Sequence, residues 1–246
     1  YLRGQNMEIK ERIKNYWNKR CEDFTNLRIS ELNSEQRDLW LNIISSKLDN
    51  TKKLDILDIG TGSGFLAILM ASLGHNVTGI DLSPHMIDSA KNLSKNLGYN
   101  INFKTMDAEN LDFPNESFDV ILSRNLTWTL PNVENAYTQW YRVLRPNGIL
   151  MNFDANYGNT SFYEETKKIN KDNVHKNVDS KLLKECDNIK NDLLISFKNR
   201  PFWDIEFLTS LGFECSCDYT NINDKLHGSK DKFCNPTKMF ALYCIK

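Results

Sequence analysis

No stretch of this sequence is apolar for anything near the roughly 18 residues that a membrane-spanning helix requires, so no membrane partner is expected. Neither sign of charge is in excess. The 31 Lys and Arg stand against 32 Asp and Glu, with a pI near 6.5, and this leaves no global cationic field to gather phosphates. Nucleic acid is therefore disfavoured as a partner. The chain does not open with a basic leader, an apolar stretch and a small-residue cleavage site, so export is not indicated. Six cysteines include no Cys-x-x-Cys pair, which fits a reducing cytoplasm and points to no metal site.

What is present is enough apolar residue, 40% over 246 positions, to bury one sizeable core. Residues 1–6 precede Met7 and are expected to be an expression remnant, with a single domain over 7–246. From Met7 to about Arg20, the residues Ile9, Ile13, Tyr16 and Trp17 recur at helical spacing. From Leu54, short apolar runs alternate with amphipathic ones. Leu54 to Ile59, Asn76 to Ile80, Ile101 to Met106, Phe118 to Ser123 and Ile149 to Phe153 read as strands. Helices are expected at Phe65 to Leu73, Pro84 to Leu97 and Val133 to Leu144. Such alternation gives parallel pairing through right-handed crossovers, hence an α/β, Rossmann-like doubly wound, mostly parallel sheet.

After Phe153 the alternation stops until a helix at Phe202 to Leu211 leads into Glu214 to Tyr219 and Met239 to Ile245, the last an antiparallel strand. Between them, Leu182, Cys186, Ile189 and Leu193 hold a helical stripe within a polar segment. The expected layout is an N-terminal helical cap (7–50), a cofactor-binding core (51–155), a cap insertion (156–200) and the end of the sheet (201–246). Cys215 and Cys217 share one strand face with Cys244 nearby, and burial as packing residues explains them better than a metal does.

Asp58-Ile-Gly60-Thr61-Gly62-Ser-Gly64 lies where the first strand ends and a helix begins, so its glycines let the backbone turn tightly against a ligand. The subset Gly62, Gly64 and Ala67 also satisfies the dinucleotide pattern G-x-G-x-x-A, and the loop by itself fits NAD equally well. Asp58 separates the two. A carboxylate beside the first glycine suits an amino-acid ammonium and repels a pyrophosphate. Asp81, at the end of the second strand, suits a ribose in either cofactor.

Together with Gly79-Ile-Asp-Leu-Ser-Pro84, Asp107-Ala108, Phe118-Asp-Val-Ile-Leu-Ser123 and Arg142-Val-Leu-Arg-Pro-Asn-Gly148, this loop resembles the class I methyltransferases, in particular the small-molecule group called type 11. The resemblance implies S-adenosylmethionine as cofactor and S-adenosylhomocysteine as product. It puts Gly60 and Gly62 under the methionine portion, Asp81 on the ribose, and Leu82 and Met86 beside the adenine. It also implies Asp107 as acceptor for the adenine amino group and the Ala108 amide on a ring nitrogen, with Ser123, Arg124 and Asn125 closing the site. Tyr16-Trp17 resembles an aromatic pair that covers the methionine end in relatives, although a core-facing stripe accounts for it equally. The Asn-Pro-Pro-Tyr sequence of enzymes that methylate exocyclic amines is missing after Ser123, so the acceptor is expected to be a small molecule.

Loops beyond the carboxyl ends of the strands supply acceptor contacts in such a sheet. Trp17, Trp128, Tyr157 and Trp203 are candidates for its walls, and His227 is the weak candidate for a base. Two other readings remain open: a binding protein that senses adenosylmethionine without chemistry, and an NAD-dependent oxidoreductase.

Overall fold

The computed structural model describes residues 2–49, 51–169, 173, 176, 178–219, 221–226 and 237–246; for 2–6 and for residue 221 only the backbone is described. His175 and His227 lie outside them. Helices α1 (Leu2–Leu32) and α2 (Glu35–Ser45) precede the sheet. The chain then runs β1 (Asp55–Ile59), α3 (Phe65–Ser72), β2 (Asn76–Asp81), α4 (Pro84–Asn96), β3 (Asn102–Thr105), β4 (Phe118–Arg124), α5 (Val133–Val143) and β5 (Leu144–Ala155). It continues through α6 (Phe162–Lys168), α7 (Ser180–Asp192), α8 (Phe202–Ser210), β6 (Glu214–Asp218), α9 (Asn221–Leu226) and β7 (Met239–Ile245).

The strand order is β3-β2-β1-β4-β5-β7-β6, with β7 antiparallel to both neighbours and the other pairs parallel. β1 is apolar on both faces because it is central: Ile56 packs into one helical layer while Leu57 and Ile59 pack into the other. From β1 the chain steps outward to β2 and β3, then returns to β4 on the other side. That reversal opens a crevice beyond the carboxyl ends of β1 and β4, the switch point where ligands of such sheets bind.

Local chemistry sets the helix boundaries. Gly64 takes φ of 88° ahead of α3, whose first six residues are all buried. Ser83 accepts from the Met86 amide at 3.1 Å, with Pro84 opening α4. β5 begins at Leu144, five residues ahead of the expected Ile149. Pro146-Asn147-Gly148 is absorbed into this strand, with Asn147 at φ 62° and a register shift against β4.

Three expectations change. α1 continues to Leu32 instead of ending near Arg20, because the buried side of its second half is carried by Phe24, Arg28 and Glu31, and charged members hide the apolar stripe from a periodicity reading. On α7 the fully buried residue is Leu183, with Leu182 only half-buried, while Cys186, Ile189 and Leu193 are buried as expected. Cys215 and Cys244 are register partners across β6 and β7 and form a disulfide, which removes two of the three thiols read as packing residues. No helix among the described residues is long and apolar enough to cross a membrane.

Behind the crevice an ionic network ties α8 to the ends of β4 and β5. The Arg200 guanidinium donates to Asp204 at 2.8–3.2 Å and to the Thr127 hydroxyl at 2.6 Å, with Asp154 3.6 Å from its Nη1. The Tyr137 hydroxyl donates to Asp204 at 2.6 Å, and Asp154 accepts from the Thr127 hydroxyl and the Trp128 amide. All three charged side chains are buried, so removing the cation leaves two carboxylates facing each other without compensation. Arg200→Met is expected to cost about 3–5 kcal/mol of stability, read as a lower midpoint in urea unfolding; a loss under about 1 kcal/mol would mean that the network contributes little.

Candidate active site

The glycine loop between β1 and α3 is held from below. Asp58, 2% exposed, accepts the Thr61 hydroxyl at 2.6 Å and the Ala67 amide at 3.1 Å, so one carboxylate pins the loop and satisfies a free N–H of the first turn of α3. Gly60 and Gly62 take φ of 70° and 54°, which an L side chain rarely adopts. Asp81, at the end of β2, accepts the Gly62 amide at 2.9 Å and the Ser83 amide at 2.9 Å. Burial raises both carboxyl groups against these hydrogen bonds, Asp58 to about 7 and Asp81 to about 6.

A cavity of about 190 Å³ runs from this loop across the ends of β2, β3 and β4. Its walls include Tyr16, Trp17, Gly60, Gly62, Asp81, Leu82, Met86, Asp107, Ala108, Arg124, Asn125, Trp128 and Tyr157, all expected from the sequence. Asp58, Thr61 and Ser123 stand behind that wall: each is buried, and Ser123 is a ladder residue of β4. Trp203 is elsewhere. It stacks on Phe207 at 5.7 Å, one turn along α8, and covers Tyr137 instead of facing the cavity.

α1 forms the outer wall. Ile13, Tyr16, Trp17, Arg20, Phe24 and Arg28 follow one another at helical intervals and all face the cavity. A Cβ on Gly62 would come within 2.9 Å of the Phe24 ring, so this ring lies directly over the loop. Arg20 donates to the Tyr16 hydroxyl at 3.0 Å, and the Ser83 hydroxyl donates to Asn18 at 2.6 Å. At the other end, Lys10 reaches Asp107 at 2.7 Å and Glu109 at 2.5 Å. Asp107 also accepts from the Glu109 amide and the Asn110 side chain, and although burial works against it, these partners hold its carboxyl below the usual range.

Glu31 anchors the helix. It is fully buried and accepts from Arg28 and from Arg124, the latter at 2.7 Å and 3.1 Å. Burial would raise this group, but the two guanidinium groups overcome it and lower the carboxyl to about 2. Arg124 in turn lies over the Trp40 ring at 4.2 Å. Lys10, Arg20, Phe24, Arg28 and Glu31 were absent from the sequence reading. From Arg20 to Glu31 their spacing of three and four residues carries the signal, obscured because most of these side chains are charged.

The far end of the cavity is aromatic. Trp128, Tyr157 and Phe162 meet pairwise at 5.0–5.2 Å between centroids. Asn125, at φ 55°, is their common tether: its carbonyl accepts from the Trp128 indole at 3.0 Å and its side-chain oxygen from the Tyr157 hydroxyl at 3.3 Å.

The upward shift of Asp58 ties stability to pH. A carboxyl raised in the folded state favours the protonated form there, so its stabilising contribution is complete below the unfolded value near 4 and is lost as pH rises through about 7. Asp58→Asn, which keeps the acceptor oxygen, is expected to flatten the fall in urea midpoint between about pH 5 and pH 8. Parallel profiles for the two proteins would overturn this account of Asp58. Glu31 does not interfere, because its contribution is lost only below that window, toward pH 2.

Residues 57–152 match the family described as a methyltransferase domain. The chain is 34% identical over 129 residues to a demethylmenaquinone methyltransferase of Tropheryma whipplei (strain Twist), covering 52% of each protein. It is 30% identical over 143 residues to a ubiquinone biosynthesis O-methyltransferase of Rickettsia canadensis (strain McKiel), covering 58% of this chain and 59% of that one. It thus spans somewhat over half the length of these curated relatives. Among solved structures, a putative methyltransferase from Bacillus halodurans C-125 has a TM-score of 0.59 at 17% identity, over 85% of this chain and 98% of that one, a likeness of fold. The glycine loop, the carboxylates ending β2 and β3 and the strand order agree with the family match: residues 57–152 form a methyltransferase domain, in a chain similar to class I, S-adenosylmethionine-dependent methyltransferases.

Proposed function

We propose that this chain transfers a methyl group from S-adenosylmethionine to a small-molecule acceptor. The observation that carries the reading is one continuous cavity that starts on Gly60 and Gly62, passes the carboxylates of Asp81 and Asp107, and ends in an aromatic pocket beyond Asn125. The residues fit the cofactor. Asp81 is suited to accept the two ribose hydroxyls, Leu82 and Met86 to flank the adenine, Asp107 to accept its amino group, and the Ala108 amide to face a ring nitrogen. Arg20 and Arg28 line the cavity beside the glycine loop, and two arginines share the single carboxylate of Glu31. Burial lowers Arg28 to about 10, the neighbouring Arg124 lowers it further, and the two cations on one carboxylate suit a ligand carboxylate.

When bound, S-adenosylmethionine supplies an electrophilic methyl group on a positively charged sulfur. The chain's part is to align the acceptor with that group and to exclude water. Phe24 over Gly62 and Lys10 on Asp107 occupy the places that methionine and adenine portions need, which supports reading α1, together with α7 whose Leu183 and Cys186 also line the cavity, as a cover whose side chains yield to the cofactor. The small-molecule character of the acceptor is supported by the names of the relatives and by the near-neutral charge of the chain.

Asp81→Ala is expected to weaken binding of S-adenosylhomocysteine by about 10- to 150-fold in calorimetry, the loss of a charged acceptor worth roughly 1.5–3 kcal/mol. An unchanged dissociation constant would place the ribose elsewhere, and NAD binding of equal strength would sink the cofactor assignment. Incubating the protein with a cell extract and methyl-labelled adenosylmethionine tests the reaction itself. Label is expected in low-mass products. Label in protein, RNA or DNA would refute the small-molecule acceptor, and no transferred label would favour a binding protein without chemistry.

A further inference from the structure

We propose that the methyl acceptor carries a carboxylate, held by Arg20 beneath α7; this rests on reading the cavity as a methyl-transfer site. The first observation is that Arg20 is a buried cation without a counter-ion. It lines the cavity while only 8% exposed. Among the described residues its one hydrogen bond runs from Nη1 to the Tyr16 hydroxyl, no carboxylate pairs with it, and its buried Nε has no partner. The edge formed by Nε and Nη2 is therefore open, and on that edge a guanidinium can take both oxygens of a carboxylate. A buried charge left in this state costs stability, so its place on the cavity wall calls for an anion that completes it.

The second observation is the pairing of the other charges around the cavity. Lys10 engages Asp107 and Glu109, and Glu165 pairs with Lys168 at 2.7 Å. Asp81 accepts the Gly62 and Ser83 amides and is suited to the ribose. What is left on the wall is three guanidinium groups, those of Arg20, Arg28 and Arg124, against the one carboxylate of Glu31. S-adenosylmethionine brings one carboxylate, but also an ammonium and a positively charged sulfur, so its binding does not remove the excess. A second anion does, and the acceptor is the molecule that remains to supply it.

The third observation sets Arg20 apart from the arginine pair. Arg28 and Arg124 lie over the ring of Phe65, the first residue of α3, at 5.8 Å and 5.2 Å, which puts them on the side of the glycine loop. Arg20 is fixed to Tyr16 instead. Tyr16 faces α7, whose Cys186 thiol lies near both the Tyr16 and the Tyr157 hydroxyls, and Tyr157 belongs to the end of the cavity beyond the loop, where it donates to Asn125. An acceptor lying along that end brings its carboxylate to Arg20, while the cofactor's own carboxylate stays with Arg28 and Arg124.

The test uses the full chain saturated with S-adenosylhomocysteine at neutral pH and three probes of equal chain length: hexanoate, 1-hexanol and hexylamine. Calorimetry is expected to give hexanoate about tenfold tighter binding than 1-hexanol, and a wider margin over hexylamine, the ratio that one charge-assisted pair provides. Arg20→Gln is expected to abolish that margin and Arg20→Lys to keep part of it, since the charge remains while the fork is lost. Arg20→Gln removes a buried charge that has no counter-ion, so its midpoint in urea unfolding is expected not to fall. Its affinity for S-adenosylhomocysteine is expected to change by less than about threefold. Equal or tighter binding of 1-hexanol or hexylamine, or a margin that survives Arg20→Gln, would overturn the proposal. A loss of S-adenosylhomocysteine affinity beyond about tenfold in Arg20→Gln would assign Arg20 to the cofactor's carboxylate and overturn it as well. If S-adenosylhomocysteine binds and hexanoate is not preferred, the carboxylate acceptor falls while the methyl-transfer reading stands. If the protein fails to bind S-adenosylhomocysteine yet still prefers hexanoate through Arg20, the methyl-transfer reading falls and the anion site stands.

Discussion

Glu31 is a carboxylate taken wholly out of water, and the arrangement of the cavity follows from where its two guanidinium partners come from. Arg28 belongs to the same helix, but Arg124 ends β4, nearly a hundred residues further along the chain. An ion pair of this kind gives little net stability over an apolar alternative, because desolvation offsets most of the attraction. What it does impose is position. Glu31 cannot leave Arg124 without stranding a charge, so the second half of α1 is bound to the sheet directly over the glycine loop.

The first half of α1 is attached differently. Lys10 bridges Asp107 and Glu109 with its side chain about one-fifth exposed, and Arg12 reaches Glu185 and Asp192 of α7 near the surface. Pairs this close to solvent are worth much less and reopen readily. The helix therefore has a fixed end at Glu31 and a releasable end at Lys10. Phe24 and Arg28 lie toward the fixed end and so stay against the loop. The helix also brings α7 under the same control, since α1 and α7 meet across Tyr16 and Cys186.

The aromatic end of the cavity is built on the opposite principle, with rigidity in place of release. Asn125 adopts a left-handed conformation that asparagine tolerates better than most residues, and it anchors an indole and a phenol at once. Behind it, Asp154 holds the Thr127–Trp128 turn from the end of β5, and Arg200 joins that turn to α8. Strained and charged groups collect at this one end of the sheet because several loops must converge there to present side chains to one ligand. The network of buried polar contacts holds those loops in a single arrangement.

The strand-and-helix alternation, the parallel order, the glycine loop and the carboxylates at the ends of β2 and β3 were legible in the sequence, because each depends on local spacing: period-two apolar runs, glycine where φ is positive, an acidic residue at a strand end. The same is true of Leu82, Met86, Ala108 and Asn125, which follow those strand ends directly. The tertiary structure alone decided that Asp58 serves the loop from behind, that Trp203 packs on α8, that Cys215 meets Cys244, and that α1 reaches Leu32. These depend on which distant segment lies opposite, and a buried charge such as Glu31 or Arg200 reads as a surface residue until its partner is known. Periodicity records which side of an element is apolar; it does not record a polar side that is buried because another part of the chain supplies the opposite charge.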